Sequence, residues 1–190
     1  MNKLYISPGQ LLRDSFSLAW QVFESGYRPD FIVGIWRGGT PVGIAVHELL
    51  HLLGIPADHT ALRTRSYAGM KRRDGAVQVD GLEYLAQRLR AGQRILLVDD
   101  VYDTGLSLQH VLLELDQACG SRAASTRIAT VWFKPDNNRT ARSPDYFVHR
   151  TGDWLVFPHE LDGLTLAELR HNKPELELLL DRLQAALEWP

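Results

Sequence analysis

The chain is poor in cysteine and has no long hydrophobic run. Cys119 is its only cysteine, which excludes an intrachain disulfide and a cysteine metal cluster. We expect this thiol to be a small buried group in a helix. No apolar stretch approaches the roughly 20 residues that span a membrane, and residues 1–5 lack the apolar centre of a signal peptide. We therefore expect a cytoplasmic protein that does not contact a membrane.

An excess of charge of one sign is also missing. Lys and Arg total 21 against 23 Asp and Glu, a formal net charge of −2, so composition gives no general reason to expect nucleic-acid binding. The seven histidines show no zinc-ligand spacing. His47 and His51 lie on one predicted helix, but no third ligand is evident, and we expect them to be structural or solvent-exposed. The length fits one domain, residues 1–190.

Short apolar runs alternate with helical patterns along the chain. The runs predict strands at 31–35, 59–62, 95–98, 128–133, 146–148 and 154–157. The helical patterns lie at 8–26, 40–53, 82–89, 106–118 and 174–187. The last two strands are expected to pair with each other. This alternation favours an α/β fold with a mostly parallel central sheet flanked by helices, in which ligands lie beyond the carboxyl ends of the strands.

Residues 95–107, Ile-Leu-Leu-Val-Asp-Asp-Val-Tyr-Asp-Thr-Gly-Leu-Ser, carry the clearest functional signal. Four branched apolar residues predict a buried strand, and Asp99 and Asp100 stand where it should end. A glycine-containing turn with the hydroxyls of Thr104 and Ser107 then leads into a helix, whose N-terminal amides favour an anion. The two carboxylates suit a sugar diol or Mg²⁺. Phosphate on one side and a diol on the other suit a ribose 5-phosphate.

This run resembles the phosphoribosyl-diphosphate (PRPP) signature of the type I phosphoribosyltransferases: apolar residues, two acids, two further residues, then Asp-Thr-Gly. The resemblance implies that family's single-domain fold, with a core at about 27–135, a small hood at about 136–163 and an extra C-terminal helix at about 174–188. It makes Asp103 the general acid/base near N7 of a base. Leu106 departs from many purine enzymes, which carry Lys or Arg there. The PRPP contacts implied by the signature are Asp99, Asp100, Thr104, Gly105, Leu106 and Ser107.

A second loop, residues 36–40, follows one predicted strand and opens one helix. Its two glycines let backbone amides approach an anion, and Arg37 adds positive charge. It lacks the lysine of a Walker loop and the third glycine of a dinucleotide fingerprint, and taken alone it is equally well a tight strand-to-helix turn. The resemblance makes it the diphosphate loop, with Arg37 and Gly38 as PRPP contacts and a non-proline cis peptide at Trp36–Arg37 or Arg37–Gly38.

The polar, basic stretch 64–80 has no clear period and predicts a long loop or a mobile hairpin. Ser66 and Tyr67 within it resemble the flexible catalytic loop of the family, which closes over the diphosphate and excludes water. The resemblance therefore adds both residues to the PRPP contacts. Without the signature, a solvated basic loop is the simpler interpretation.

Lys134 ends a predicted strand, and Trp154 and Leu155 follow about twenty residues later. In 6-oxopurine phosphoribosyltransferases a lysine at such a strand end contacts the exocyclic oxygen, an aromatic ring stacks on the base, and the next backbone unit reads the base edge. The resemblance carries these roles to Lys134, Trp154 and Leu155. A surface lysine and a core tryptophan are the alternatives. The pattern ending in Glu160 resembles the xanthine-guanine subgroup, and Glu160 joins Asp99 and Asp100 as a predicted metal ligand.

The resemblance implies Mg²⁺-dependent transfer of a 5-phosphoribosyl group from PRPP to hypoxanthine, guanine or xanthine in purine salvage, by a homo-oligomer (dimer or tetramer). A pyrimidine base and a nucleotide-sensing, RNA-binding regulator of the same fold are alternatives, although the acidic balance argues against an RNA surface. A signalling receiver domain is a third, because Ile-Leu-Leu-Val-Asp-Asp also opens such domains. A receiver needs a phospho-accepting aspartate at a later strand end, and Asp145 is predicted to lie outside a strand.

Overall fold

The computed structural model describes residues 3–66 and 77–187. Among the helices of these residues, none combines the length and the apolar character needed to cross a membrane. Short 3-10 helices lie at Gly120–Arg122, Pro135–Asn137 and Pro174–Leu179. The other elements are β1 (Lys3–Tyr5), α1 (Pro8–Glu24), β2 (Phe31–Trp36), α2 (Gly39–Leu52), β3 (Asp58–Ser66), β4 (Val77–Asp80), α3 (Leu82–Arg88), β5 (Gln93–Tyr102), α4 (Leu106–Cys119), β6 (Ala123–Phe133), β7 (Tyr146–Arg150), β8 (Trp154–Val156), α5 (Leu166–Asn172) and α6 (Leu180–Leu187).

The described chain forms two compact units. The larger unit is Leu12–Gly152, and the smaller unit combines the described parts of Met1–Leu11 and Asp153–Pro190. β7 hydrogen-bonds to β6 and extends the sheet of the larger unit. The hood predicted at 136–163 is therefore divided between the two units. That the whole chain acts as one domain stays a prediction.

The larger unit is built on one six-stranded sheet in the order β4-β3-β2-β5-β6-β7. Neighbouring strands are parallel except for the antiparallel pair of β3 and β4. Residues 31–35 and 95–98 are buried without interruption, as is typical of strands covered on both faces. The predicted α/β fold with a mostly parallel central sheet is confirmed.

A hydrophobic cluster joins this sheet to α3 and α4. Cys119 belongs to it and is buried as expected, and burial raises the pKa of its thiol. The cluster consists of Phe31, Val33, Ile35, Leu62, Leu82, Leu85, Leu89, Ile95, Leu97, Tyr102, Leu108, Val111, Leu115, Cys119, Ile128 and Phe133.

The register of the central strands brings three loops to one edge of the sheet. Gly34 of β2 lies opposite Val98 of β5, and Tyr102 of β5 lies opposite Phe133 of β6. Because these strands are parallel, the segments that follow them leave at their carboxyl ends, where α/β proteins bind ligands. The turn 36–40, the signature residues and Lys134 all lie in these segments.

The expected pairing of the strands near 146–148 and 154–157 is wrong. β7 pairs in parallel with β6, whereas β8 pairs in parallel with β1, with Lys3 opposite Trp154 and Tyr5 opposite Val156. The sequence analysis did not predict β1, a strand of three residues. Its partner is distant in sequence, so no local pattern marks the pairing.

The predicted amphipathic helix 174–187 is also only partly present. Pro174–Leu179 forms a 3-10 helix, and α-helical geometry begins at Leu180. Leu178 and Leu179 are exposed, at 93% and 46%, whereas Leu180 is buried, so the predicted leucine stripe packs only in part. The preceding helix α5 begins with a capping box between Thr165 and Glu168, a Thr-x-x-Glu signal that the sequence carries.

The described ends of the basic stretch 64–80, residues 64–66 and 77–80, belong to the strands β3 and β4. β3 and β4 are antiparallel, with Thr64 opposite Val79 and Ser66 opposite Val77. The prediction for Tyr67 lies outside the described residues. On α2, His47 is partly buried with its Nε2 3.2 Å from the carbonyl oxygen of Ala57, and His51 is exposed, in agreement with structural or solvent-exposed histidines.

Candidate active site

The turn after β2 lies in close contact with residues 98–100 of β5, because its two glycines carry no side chain that would hold the two segments apart. A Cβ atom on Gly38 would lie 1.9 Å from Oδ2 of Asp100, and one on Gly39 would lie 2.3 Å from the carbonyl oxygen of Val98. Real Cβ atoms do not approach other atoms so closely, so a side chain at position 39 would displace the β5 backbone and one at position 38 would displace the Asp100 carboxylate. The Trp36–Arg37 peptide in this turn is cis, at one of the two bonds expected.

The two signature carboxylates have different surroundings. Asp100 is buried, and Oδ1 of the partly buried Asp99 accepts the backbone N–H of Asp100 at 3.0 Å. Burial, and then the negative charge of Asp100, raise the pKa of Asp99 well above its usual range. A cation or hydroxyl donors at this point would offset the cost of ionising Asp99.

The oxygen donors of Asp99 and Asp100 fit the ligand chemistry of magnesium. Within the described residues, no three His, Cys, Asp or Glu side chains form a group able to hold a metal ion. Mg²⁺ usually binds through one or two carboxylates together with substrate oxygens and water, which two carboxylates beside a phosphate site satisfy. The metal roles of Asp99, Asp100 and Glu160 stay predictions. In the smaller unit, Oε2 of Glu160 accepts the backbone N–H of Phe157 at 3.0 Å.

The turn between β5 and α4 encloses a cavity of about 90 Å³. Gly105 has a φ of +76°, and a Cβ there would lie 2.5 Å from the ring of Tyr102, so this position also requires glycine. Helix α4 begins directly after Gly105, which places its first backbone amides at the cavity, where an anion is favoured. Leu106 is 43% exposed. The cavity is lined by Asp99, Val101, Tyr102, Asp103, Thr104, Gly105, Ser107 and Leu108.

Asp103 is held at both of its carboxylate oxygens. Nζ of Lys134 donates to Oδ2 at 3.3 Å, and Nδ2 of Asn137 donates to Oδ1 at 2.8 Å. The Lys134 side chain is 8% exposed and that of Asp103 is 43% exposed, so the surface-lysine alternative is wrong. The sequence analysis missed Asn137, and only its position shortly after Lys134 could have drawn attention to it.

A segment after β6, which we call the brace (residues 135–142), is hydrogen-bonded to Tyr102 and to the turn between β5 and α4. We call this turn (residues 103–105) the phosphate turn, after the ligand predicted for it. The buried Tyr102 hydroxyl lies 2.9 Å from Oγ1 of Thr140 and donates to the carbonyl oxygen of Arg142 at 3.0 Å. The backbone N–H of Arg139 donates to the carbonyl oxygen of Thr104 at 3.0 Å. The brace follows Lys134 directly, so the predicted base-binding lysine and the phosphate turn belong to one hydrogen-bonded assembly.

The other predicted base-binding residues, Trp154 and Leu155, lie in the smaller unit. Trp154 is 56% exposed on β8, so it is not a core tryptophan, whereas the Leu155 side chain is buried. The buried Lys173 amine donates to the carbonyl oxygen of Phe157, and burial lowers the pKa of this lysine. The roles of Trp154 and Leu155 at a base stay predictions.

The turn after β2 places Arg37 at the surface. Arg37 is exposed, and its carbonyl oxygen accepts both the backbone N–H of Thr40 at 3.1 Å and the Thr40 hydroxyl at 2.6 Å. This guanidinium is therefore accessible to an anion. Ser66 ends β3. The PRPP contacts assigned to Arg37, Gly38 and Ser66 stay predictions.

Comparison with known proteins agrees with this geometry. Residues 7–162 match the phosphoribosyl transferase domain. The xanthine-guanine phosphoribosyltransferase of Desulfotalea psychrophila is 29% identical over 168 residues, which cover 86% of this chain and 90% of that protein. The purine phosphoribosyltransferase structure from Pyrococcus horikoshii Ot3 aligns with a TM-score of 0.68 at 29% identity, over 87% of this chain and 98% of its own.

A structure from Neisseria gonorrhoeae with bound ppGpp has a TM-score of 0.71 at 19% identity, over 92% of this chain and 97% of its own, and shows the shared fold alone. Because the domain match spans most of the sequence, the chain belongs to the phosphoribosyltransferase family. The predicted enzyme class and the resemblance to purine phosphoribosyltransferases are thereby confirmed. The receiver-domain alternative is wrong, and Asp145 directly precedes β7 rather than ending a strand.

Replacing Asp99 by Asn should stabilise the protein increasingly as pH rises. The folded-state pKa of Asp99 is raised, so the folded protein binds more protons here than the unfolded chain, and this site loses stability as pH rises. Asn keeps the acceptor for the Asp100 N–H but does not ionise. In urea titrations we measure the free energy of unfolding of Asp99→Asn minus that of the parent protein. We expect this difference to be lowest near pH 4 and to increase toward pH 8. A difference independent of pH would contradict this.

Replacing Tyr102 by Phe should loosen the phosphate turn. Removing the hydroxyl bonds to Thr140 and Arg142 costs about 1 kcal/mol, a fall in melting temperature of about 2–4 °C. We expect PRPP affinity to fall about three- to tenfold, measured by calorimetry. Tyr84→Phe is the matched control, because the Tyr84 hydroxyl bonds Asp58, away from the phosphate turn. Equal PRPP affinities of the two variants would show that the brace does not support the turn.

Proposed function

We propose that this protein transfers the 5-phosphoribosyl group of PRPP to a 6-oxopurine, namely hypoxanthine, guanine or xanthine. One observation carries the choice of base: the buried amine of Lys134 lies 3.3 Å from the carboxylate of Asp103. A cationic donor and an acceptor therefore sit side by side. A 6-oxopurine presents the matching pair on one edge, an acceptor at O6 and a proton at N7.

The reaction exchanges one bond at the sugar for another. The bond between C1 of the ribose and the diphosphate oxygen breaks, the bond between C1 and N9 of the purine forms, and the N7 proton passes to Asp103. Lys134 holds O6 and fixes the base in the orientation that directs N7 to this carboxylate. Diphosphate and the nucleoside 5′-monophosphate are the products.

The remaining groups position PRPP. The α4 N-terminus, with Thr104, Gly105, Leu106 and Ser107, binds the 5-phosphate, and Asp99 and Asp100 accept hydrogen bonds from the ribose diol. Arg37 and the amides around Gly38 face the diphosphate, and Ser66 and Tyr67 belong to the loop that closes over it.

The proposal includes Mg²⁺, held by Asp99 and Asp100 with Glu160 as a further ligand. When bound, the ion supplies positive charge next to the leaving diphosphate. Asp99 and Asp100 are adjacent carboxylates in β5, and carboxylate oxygens are ligands that Mg²⁺ prefers, which supports this assignment. The proposal extends to Trp154 and Leu155 at the base, to a homo-oligomer and to a cytoplasmic location, for which the family relationship is the support.

Purified protein should form nucleotide with PRPP, Mg²⁺ and hypoxanthine, guanine or xanthine, but not with adenine. The adenine 6-amino group offers donors to Lys134, which has only donors, and such an unmet hydrogen bond can reduce reaction about 10⁴-fold. Diphosphate release is measured for each base, for orotate and uracil, and without Mg²⁺. Adenine reacting as well as hypoxanthine would overturn the assignment, and reaction with orotate or uracil alone would indicate a pyrimidine enzyme.

Asp103→Asn should lower kcat about 10²-fold or more with little change in PRPP affinity, because the amide cannot take the N7 proton. The measurements are kcat with hypoxanthine and the Kd for PRPP. Asp116→Asn, on the exposed side of α4, is the matched control and should leave both unchanged. An Asp103→Asn variant that loses PRPP binding but keeps its rate at saturation would place Asp103 in binding instead of proton transfer.

A further inference from the structure

We propose that Asn137 is a positioning residue for Asp103, which it orients for proton transfer with the base; this inference rests on the proposed function. Asn137 is the last residue of the 3-10 helix Pro135–Asn137, which directly follows Lys134. Its Nδ2 donates to Oδ1 of Asp103 at 2.8 Å, a shorter bond than the 3.3 Å one from Lys134 to Oδ2. The amide therefore makes the closer of the two contacts that hold this carboxylate.

The two donors to Asp103, Lys134 and Asn137, make different contacts once a base is bound. Lys134 must donate a hydrogen bond to O6 of the purine, which weakens its bond to Asp103. Asn137 does not also bind O6, so its amide keeps Oδ1 of Asp103 in place and leaves Oδ2 turned toward the base. A neutral amide also suits this position because it does not give up a proton in the range where a carboxylate works, and so does not compete for the transferred proton.

Neighbouring contacts hold Asn137 in place. Its backbone N–H donates to the carbonyl oxygen of Lys134 at 3.2 Å, and the N–H of Arg139 donates to Thr104 at 3.0 Å. Asn138 works within the brace: its Oδ1 accepts the Thr140 N–H at 2.9 Å, and its Nδ2 donates to the carbonyl oxygen of Arg142 at 2.9 Å. Asn138 therefore stabilises the brace, and the brace places Asn137 next to Asp103.

Single-turnover rates of nucleotide formation test this role, because they report the chemical step separately from product release. With saturating PRPP and hypoxanthine, we expect Asn137→Ala to lower the rate about tenfold while the Kd for PRPP stays within about twofold. Asn137→Asp, which has the same shape but no donor, should lower the rate at least as much. Asp136→Ala, an exposed neighbour on the same 3-10 helix, is the control and should react at the parent rate.

A double-mutant cycle separates positioning from a structural role. If Asn137 acts through Asp103, then Asn137→Ala should change the rate by less than about twofold in the Asp103→Asn background. An equal tenfold loss in both backgrounds would overturn the inference, as would a loss of PRPP affinity that accounts for the slower rate. An active protein whose Asn137→Ala variant reacts at the parent rate would refute the inference alone. A parent protein that forms no nucleotide with any base would refute both this inference and the proposed function.

Discussion

The site depends on one steric constraint, the contact between the turn after β2 and the end of β5. A Cβ at Gly38 would lie inside the Asp100 carboxylate, and one at Gly39 would meet the β5 backbone. The turn thereby packs directly against residues 98–100 of β5, since neither glycine has a side chain that separates them. The exposed Arg37 belongs to this turn, and the proposed binding of a diphosphate and a ribose within one small volume depends on this close approach.

The carboxylates near this edge of the sheet have different surroundings. Asp99 is desolvated and beside a second carboxylate, which favours its neutral form until positive charge arrives. Asp103 is more exposed and receives hydrogen bonds at both of its oxygens, from Lys134 and Asn137. Pairs of carboxylates with unlike surroundings are a common way to separate binding from acid–base chemistry.

Features carried by contiguous residues could be predicted from the sequence, whereas those that depend on distant pairing could not. The order of acids, glycine and hydroxyls in residues 95–107 predicted both the strand and its turn, and the position of Lys134 at a strand end was equally local. The β1–β8 pairing, the Tyr102–Thr140 contact and the Asn137–Asp103 bond join residues far apart along the chain. Leu176, Leu179 and Leu183 keep helical spacing, but the bond from the Leu176 N–H to the Lys173 carbonyl starts a tighter helix at Pro174.

The brace has the composition of an ordinary surface loop, and its side chains are mostly exposed. Such loops commonly accept insertions and deletions during evolution. We expect this one not to accept them, because its length fixes where Asn137, Arg139 and Thr140 meet Tyr102 and the turn between β5 and α4. An added or missing residue would shift every later contact out of register, so an affinity tag or a fused domain placed here would disable the enzyme while leaving the sheet intact.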